Sequence, residues 1–241
     1  MTPVELARLF DQPAEAGRRA QTARAAHFGR RVLVRPAPQH PTPAVAALIR
    51  GGSAAVDLDD WSEAHVLEAL QSLSEGTGPK AHGGAGEAGA RAAGQGDPGW
   101  PDPAVLRPGD RLVVQVDRER LGAYCDYLVR LAAAAPADLS FAPVCARPGG
   151  LLRLHLTAAA RIALPGRVRV EARHDLLGIR LAQVALGFGA DTLSGPITPA
   201  RRLPLAGVPR PDEATPAGLS ALIERAGLEA VLHDLSPETS P

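Results

Sequence analysis

Four residues in the run "RVRVEARHD", Arg169, Glu171, Arg173 and His174, are of types that bind charge or move protons, and similar residues recur after several other short apolar runs. The polar residues that follow those runs are Arg35, Gln39 and His40; Asp57, Asp59 and Asp60; Asp117; Arg147; Arg173 and His174; and Ser194. Arginines beside carboxylates can clamp a polar, nucleoside-like or carboxylate ligand through charge-assisted hydrogen bonds, or they can simply pair with one another across an interior. The candidate ligand-binding set is Arg35, Asp57, Gln115, Asp117, Arg147, Arg169, Glu171, Arg173 and Ser194. For acid–base work the candidates are Asp57, Asp117 and His174, because an imidazole titrates near neutrality and a displaced carboxylate can act beside it. His174-Asp175 could be a base with its orienter, but neighbours along a strand point to opposite faces, so the pair needs a loop conformation.

Other groups read as structural. The histidines show no HxxxH or HExxH spacing, so no metal site is expected. Gly51-Gly52 reads as a helix stop, since no GxGxxG follows. Cys145 beside Arg147 could be a thiol of lowered pKa or a buried, inert one. Trp61 and Trp100 flank a segment of unusual composition, where aromatics can dock a partner; core packing suits Trp61.

These residues need elements to hold them. "TPVELARLFDQPAEAGRRAQTARAAHF" predicts two helices within residues 1–28, the first capped by Thr2 with Pro3 and Glu5, the second restarted at Pro13. "RRVLVRP" is a strand stopped by proline; "TPAVAALIRGG" predicts a helix, "SAAVDLDD" a strand and "SEAHVLEALQSL" an amphipathic helix. Residues 74–103, rich in glycine, alanine and proline, read as a flexible insertion within a single domain spanning 1–241. The rhythm then resumes: strands in "DRLVVQVD", "LSFAPV", "RVRVEARH" and "DTLSGPI" alternate with helices, giving six strands in all.

Strands separated by helices predict a mainly parallel sheet. Val168, Val170 and Ala172 share one side of their strand, while Arg169, Glu171 and Arg173 share the other; Val114 and Val116 stand in the same way against Gln115 and Asp117. One polar face favours a barrel with a wet lumen over a doubly wound sheet, the alternative being one sheet face left open. The expected fold is therefore α/β and TIM-barrel-like.

Bulk properties narrow the function classes. With 241 residues and 45% hydrophobic content the chain can bury one sizeable core. Its 26 basic and 26 acidic residues cancel, which argues against nucleic acid as a partner. No run of about 18 apolar residues occurs. "MTPVELARLFDQPAEAG" lacks a signal-peptide core, so a cytoplasmic protein without membrane association is expected. The two cysteines, Cys125 and Cys145, are expected to be reduced.

"LLGIRLAQVALGFGADTLSGPI" resembles the end of the barrel in the radical S-adenosylmethionine enzymes of the futalosine route to menaquinone, aminofutalosine synthase and dehypoxanthine futalosine cyclase, and in their deazaflavin-synthase relatives. The likeness runs through Ala182, Gln183, Ala185, Leu186, Phe188, Gly189, Ala190, Leu193 and Gly195. "YLVRLAAAAPADLSFAPVCARPGG" is similar to a helix and strand end of that family through Phe141, Pro143, Pro148 and Gly149, and "TPAGLSALIERAGLEAVLHDL" to its closing helix and strand. The likeness covers residues 112–235 and, more faintly, the N-terminal helices with "RRVLVRP".

The resemblance implies a radical-SAM-type barrel, here an incomplete (β/α)6 form, with residues 198–241 packing on it as a C-terminal extension. It also implies a CxxxCxxC loop whose three thiolates anchor a 4Fe-4S cluster. Where that loop belongs, the chain reads "APQHPTPAVAAL", without cysteine. No cluster is expected, and S-adenosylmethionine, the family's cofactor, would lack the iron that promotes its cleavage. The expectation is a non-catalytic paralogue that binds a small polar ligand or a catalytic partner; the alternative is an enzyme using acid–base chemistry in the lumen. Missing staves would expose strand edges, which favours a hetero-oligomer with a catalytic paralogue or a homo-oligomer.

Overall fold

A computed structural model of the chain describes residues 1–37, 46–49, 99–145, 149–197 and 213–232. Helix α1 (Pro3–Arg8) starts where the sequence requires: the Thr2 hydroxyl accepts from the Glu5 N–H, the Glu5 carboxylate accepts from the Thr2 N–H, and Pro3 spends no donor in the first turn. A short 3-10 turn, Leu9–Asp11, leads into α2 (Pro13–Phe28), which ends on Gly29 with φ +59°.

The strands are β1 (Arg31–Pro36), β2 (Ala46–Ile49), β3 (Arg111–Gln115), β4 (Ser140–Val144), β5 (Arg169–Arg173), β6 (Thr192–Gly195) and β7 (Glu229–Leu232). They form one seven-stranded sheet in the order β2-β3-β4-β5-β6-β1-β7, parallel throughout except for the antiparallel β2–β3 pair. The fold is thus α/β with a mostly parallel sheet, and among the described residues its two edges, β2 and β7, do not pair with each other.

Between β3 and β6 the crossovers run through α3 (Leu121–Ala134), α4 (Gly150–Ala163), and the pair α5 (His174–Leu177) and α6 (Ile179–Leu186). Helix α7 (Pro216–Arg225) precedes β7 and is capped by the Thr215 hydroxyl. Neighbouring crossover helices pack on one another, α3 on α4 and α4 on α6, and α2 lies against α4. Their apolar sides meet one face of the sheet: Leu112, Val114, Phe141, Val168 and Val170 are buried with α3 and α4, and Val32, Val34, Ala172 and Leu193 with α6 and α7. The period-two alternation read from "RVRVEARH" and "DRLVVQVD" therefore turns its apolar members to the helices.

Two expectations change. "TPAVAALIRGG" was expected to be a helix, but its described part, Ala46–Ile49, is strand β2 in register with Arg111–Val114. A four-residue apolar run fits either period, and the open edge of β3 supplied the hydrogen-bond partners that decided the matter. Trp100, placed beside the insertion as a docking aromatic, is instead 6% exposed: its indole N–H donates to the Gln115 carbonyl at 3.2 Å and its ring meets Tyr124 and Tyr127 edge-on. The end of the segment read as an insertion is thus part of the core. The strand "SAAVDLDD", the helix "SEAHVLEALQSL", Gly51, Gly52, Trp61 and residues 74–98 lie outside the described residues. Among the described residues no helix is long and apolar enough to cross a membrane.

Candidate functional site

The face of the sheet opposite the helices carries Arg111 on β3, Ser140 on β4, Glu171 on β5, Ser194 on β6 and Arg35 on β1, brought side by side by the parallel register. Arg111 forks onto Glu171 at 3.1 and 2.9 Å and donates a third hydrogen bond to the Pro36 carbonyl at 2.9 Å. Ser194 donates to Glu171 at 2.9 Å, and Arg35 donates to the Ser140 hydroxyl at 3.3 Å. Burial alone would raise the Glu171 carboxyl, but the charge and hydrogen bonds of Arg111, with Arg173 and Arg35 nearby, outweigh it and hold the pKa at about 2. Of the expected ligand residues, Arg35, Glu171 and Ser194 meet here. Arg111 and Ser140, which the sequence reading passed over, complete the group. Where an open polar face was expected, Arg111, Glu171, Ser140 and Ser194 are buried, and Glu171 is taken up by Arg111 and Ser194. Beside them the same face is apolar, with Ala47, Val113, Ala142 and Val144 buried under Leu176.

The carboxyl-end rim of the sheet is different. Arg173, the last residue of β5, forks onto Asp175 at 2.9 and 2.6 Å, and both side chains are fully buried. Asp175 therefore serves Arg173 and does not orient His174, so the dyad that a loop conformation could have allowed is not formed. His174 opens α5 with 0% exposure, and among the described residues neither Nδ1 nor Nε2 has a hydrogen-bond partner. Its ring lies against Gly195, whose φ of +150° suits glycine and whose absent Cβ would collide with the imidazole. Burial lowers the imidazole pKa to about 4, opposed by Asp175 and assisted by Arg173, so the ring is neutral near pH 7.

Two residues beyond β3, Asp117 presents a buried Oδ1 that also has no partner among the described residues, and the Gln115 carbonyl is taken by Trp100. Among the expected acid–base residues, His174 and Asp117 thus share a property that the satisfied Glu171 lacks. Gln39, His40, Asp57, Asp59, Asp60 and Arg147 lie outside the described residues.

Arg169, expected to bind ligand with Arg173, lies at the other end of β5. It donates to Asp191 at 3.3 Å and its guanidinium lies 4.4 Å from the centre of the Phe28 ring. Asp191 also accepts from Arg161 at 2.9 Å and from the Val170 N–H at 2.8 Å. This knot explains the run "GFGAD": Gly189, at φ +92°, lets the chain pass the Arg161 side chain, where a Cβ would fall within 2.7 Å. Gln183, on α6 just before that run, donates to the Leu222 carbonyl at 2.8 Å, fastening α6 to α7. Both residues act here as supports of the fold.

The two cysteines do not suit an iron–sulfur cluster. Cys125 is buried within α3, its thiol pushed up to about 11 by burial and by Asp126, and Cys145 is buried after β4. Two sulfurs on separate elements cannot replace three thiolates on one loop. Among the described residues no group of three or more His, Cys, Asp or Glu side chains is arranged to hold a metal ion. No protein-family model matches the chain, and no curated protein matches it either.

Proposed function

We propose that this chain is a cluster-less relative of the radical S-adenosylmethionine enzymes of the futalosine route, built on an incomplete barrel, and that it binds a small polar ligand at the carboxyl-end rim of its sheet. One observation carries the reading: His174, fully buried just after β5, has both ring nitrogens without a partner among the described residues. Stranding two buried polar atoms costs stability, of order 1–3 kcal/mol for an unsatisfied group, and a ligand that pairs with them recovers that cost. A neutral imidazole offers one donor and one acceptor, which suits an amide or a nucleobase edge better than a bare anion. The rim is also where βα folds of this kind gather their ligands.

The acid–base alternative is weaker, because Asp175 is committed to Arg173 and His174 then lacks an orienting carboxylate. Radical chemistry would need a catalytic partner to supply the cluster, and the edges at β2 and β7 offer backbone for such a partner or for a second copy.

Thermal unfolding with S-adenosylmethionine and a series of nucleosides, futalosine derivatives included, tests this reading. A binding ligand raises the Tm of the wild-type chain and leaves that of His174→Leu unmoved. Equal shifts in both proteins, or no shift with any member of the series, would end it. Anaerobic reconstitution with iron and sulfide is the companion experiment: a stoichiometric iron–sulfur chromophore would overturn the cluster-less assignment.

A further inference from the structure

We propose a second binding site at the opposite end of the sheet: a cleft between the end of α2 and strands β1, β5 and β7, shaped for a small carboxylate with an apolar, aromatic body. The cleft has a volume of about 430 Å³ and is lined by His27, Phe28, Arg31, Leu33, Arg169 and Val231. Arg31 and Arg169 are the first residues of β1 and β5, so the cleft lies at the amino-end rim, away from His174.

Charge bookkeeping around the cleft leaves an excess of cation. Arg161 and Arg169 share one carboxylate, Asp191, at 2.9 and 3.3 Å. Arg161 and Asp191 are fully buried, whereas Arg169 is 36% exposed. Two guanidiniums on one carboxylate leave about one positive charge uncancelled, carried toward the cleft by Arg169. Arg31 adds a second, since among the described residues its side chain makes no hydrogen bond or ion pair. Glu229, its register neighbour on β7, is turned to Arg30 at 3.7 Å. None of the described lining residues is acidic.

The geometry is prepared as well. The Arg169 guanidinium is held between Asp191 and the Phe28 ring, so little side-chain freedom remains to be lost on binding. His27 is held against Gly166, where a Cβ would collide with the imidazole. Leu33, Val231 and Phe28 supply the apolar walls. A bare phosphate ion would leave those walls wet, whereas a ligand with a hydrophobic body uses both halves of the cleft.

Calorimetric titration of the full chain with 4-phenylbenzoate, 4-phenylbenzamide and inorganic phosphate tests the proposal. The carboxylate binds, while the amide, which keeps the body and drops the charge, binds at least about tenfold more weakly, as does phosphate. Arg31→Gln weakens the carboxylate by about tenfold, and Arg31→Lys, which retains the charge, recovers most of that loss. Arg31 is exposed, so both variants fold. His174→Leu leaves the titration unchanged, which separates this site from the rim. Equal binding of amide and carboxylate, equal binding of phosphate, an Arg31→Gln titration like wild type, or no binding of any probe would overturn the proposal.

Discussion

Two polar groups, one centred on Glu171 of β5 and one on His174 at the start of α5, lie within a few residues of each other in the chain, yet they are built on opposite plans. In the Arg111–Glu171–Ser194 cluster each nitrogen of the guanidinium and both carboxylate oxygens are used, and a serine hydroxyl donates into the pair. His174, three residues beyond Glu171, is just as deeply buried and has no partner on either nitrogen among the described residues. The first arrangement spends its polarity on joining β3, β5, β6 and the end of β1. The second keeps its polarity unspent at a rim. A buried charge thus marks structure where it is answered, and a neutral ring marks a candidate site where it is not.

Substitution separates the two groups. Glu171→Leu should cost about 3–5 kcal/mol in urea unfolding, since it leaves the Arg111 cation buried and unpaired. Adding Arg111→Met to that variant should restore most of the loss. If Glu171→Leu were nearly silent, the cluster would not be a structural joint.

Acidification probes the second group. His174 titrates at about 4 in the folded chain against an ordinary 6.5, so between those values the unfolded chain binds more protons and stability falls as the pH drops. Below about 4 the effect is complete. His174 alone should make the protein roughly 2 kcal/mol less stable at pH 5 than at pH 8. Burial lowers His155 as well, a contribution of the same sign, so the measurement is the difference between wild type and His174→Leu. Glu171, held at about 2, adds its own loss only as the pH falls below about 4.5.

The smallest effect is the most diagnostic. His174→Leu should raise stability at pH 7 by about 1 kcal/mol, because it removes two unsatisfied buried nitrogens while roughly keeping the volume. A loss of similar size would mean that the imidazole has a structural role after all.

Much of this was legible in the sequence, at the scale of single elements. Thr2, Pro3 and Glu5 announced α1, and the alternation in "RVRVEARH" announced which side of β5 meets the helices. The candidate residues were legible as types but not as roles. Arg169 and Arg173 look equivalent along the strand, yet Arg169 is drawn to Asp191 at one end and Arg173 to Asp175 at the other. Arg111 was missed because the next residue on its face of β3, Val113, is apolar and breaks the polar alternation, and no local pattern signals that its partner lies sixty residues away.

By itself the sequence determined the local periods, the helix starts, the balance of charge and the lack of three grouped cysteines, because each of these depends on residues near one another in the chain. Only the tertiary structure decided that "AALI" would be a strand, that Glu171 would be answered and His174 would not, and that two arginines would share one aspartate beneath a cleft. Those outcomes depend on which strands become neighbours and in what register, and hydrogen-bond partners in a sheet come from distant parts of the chain.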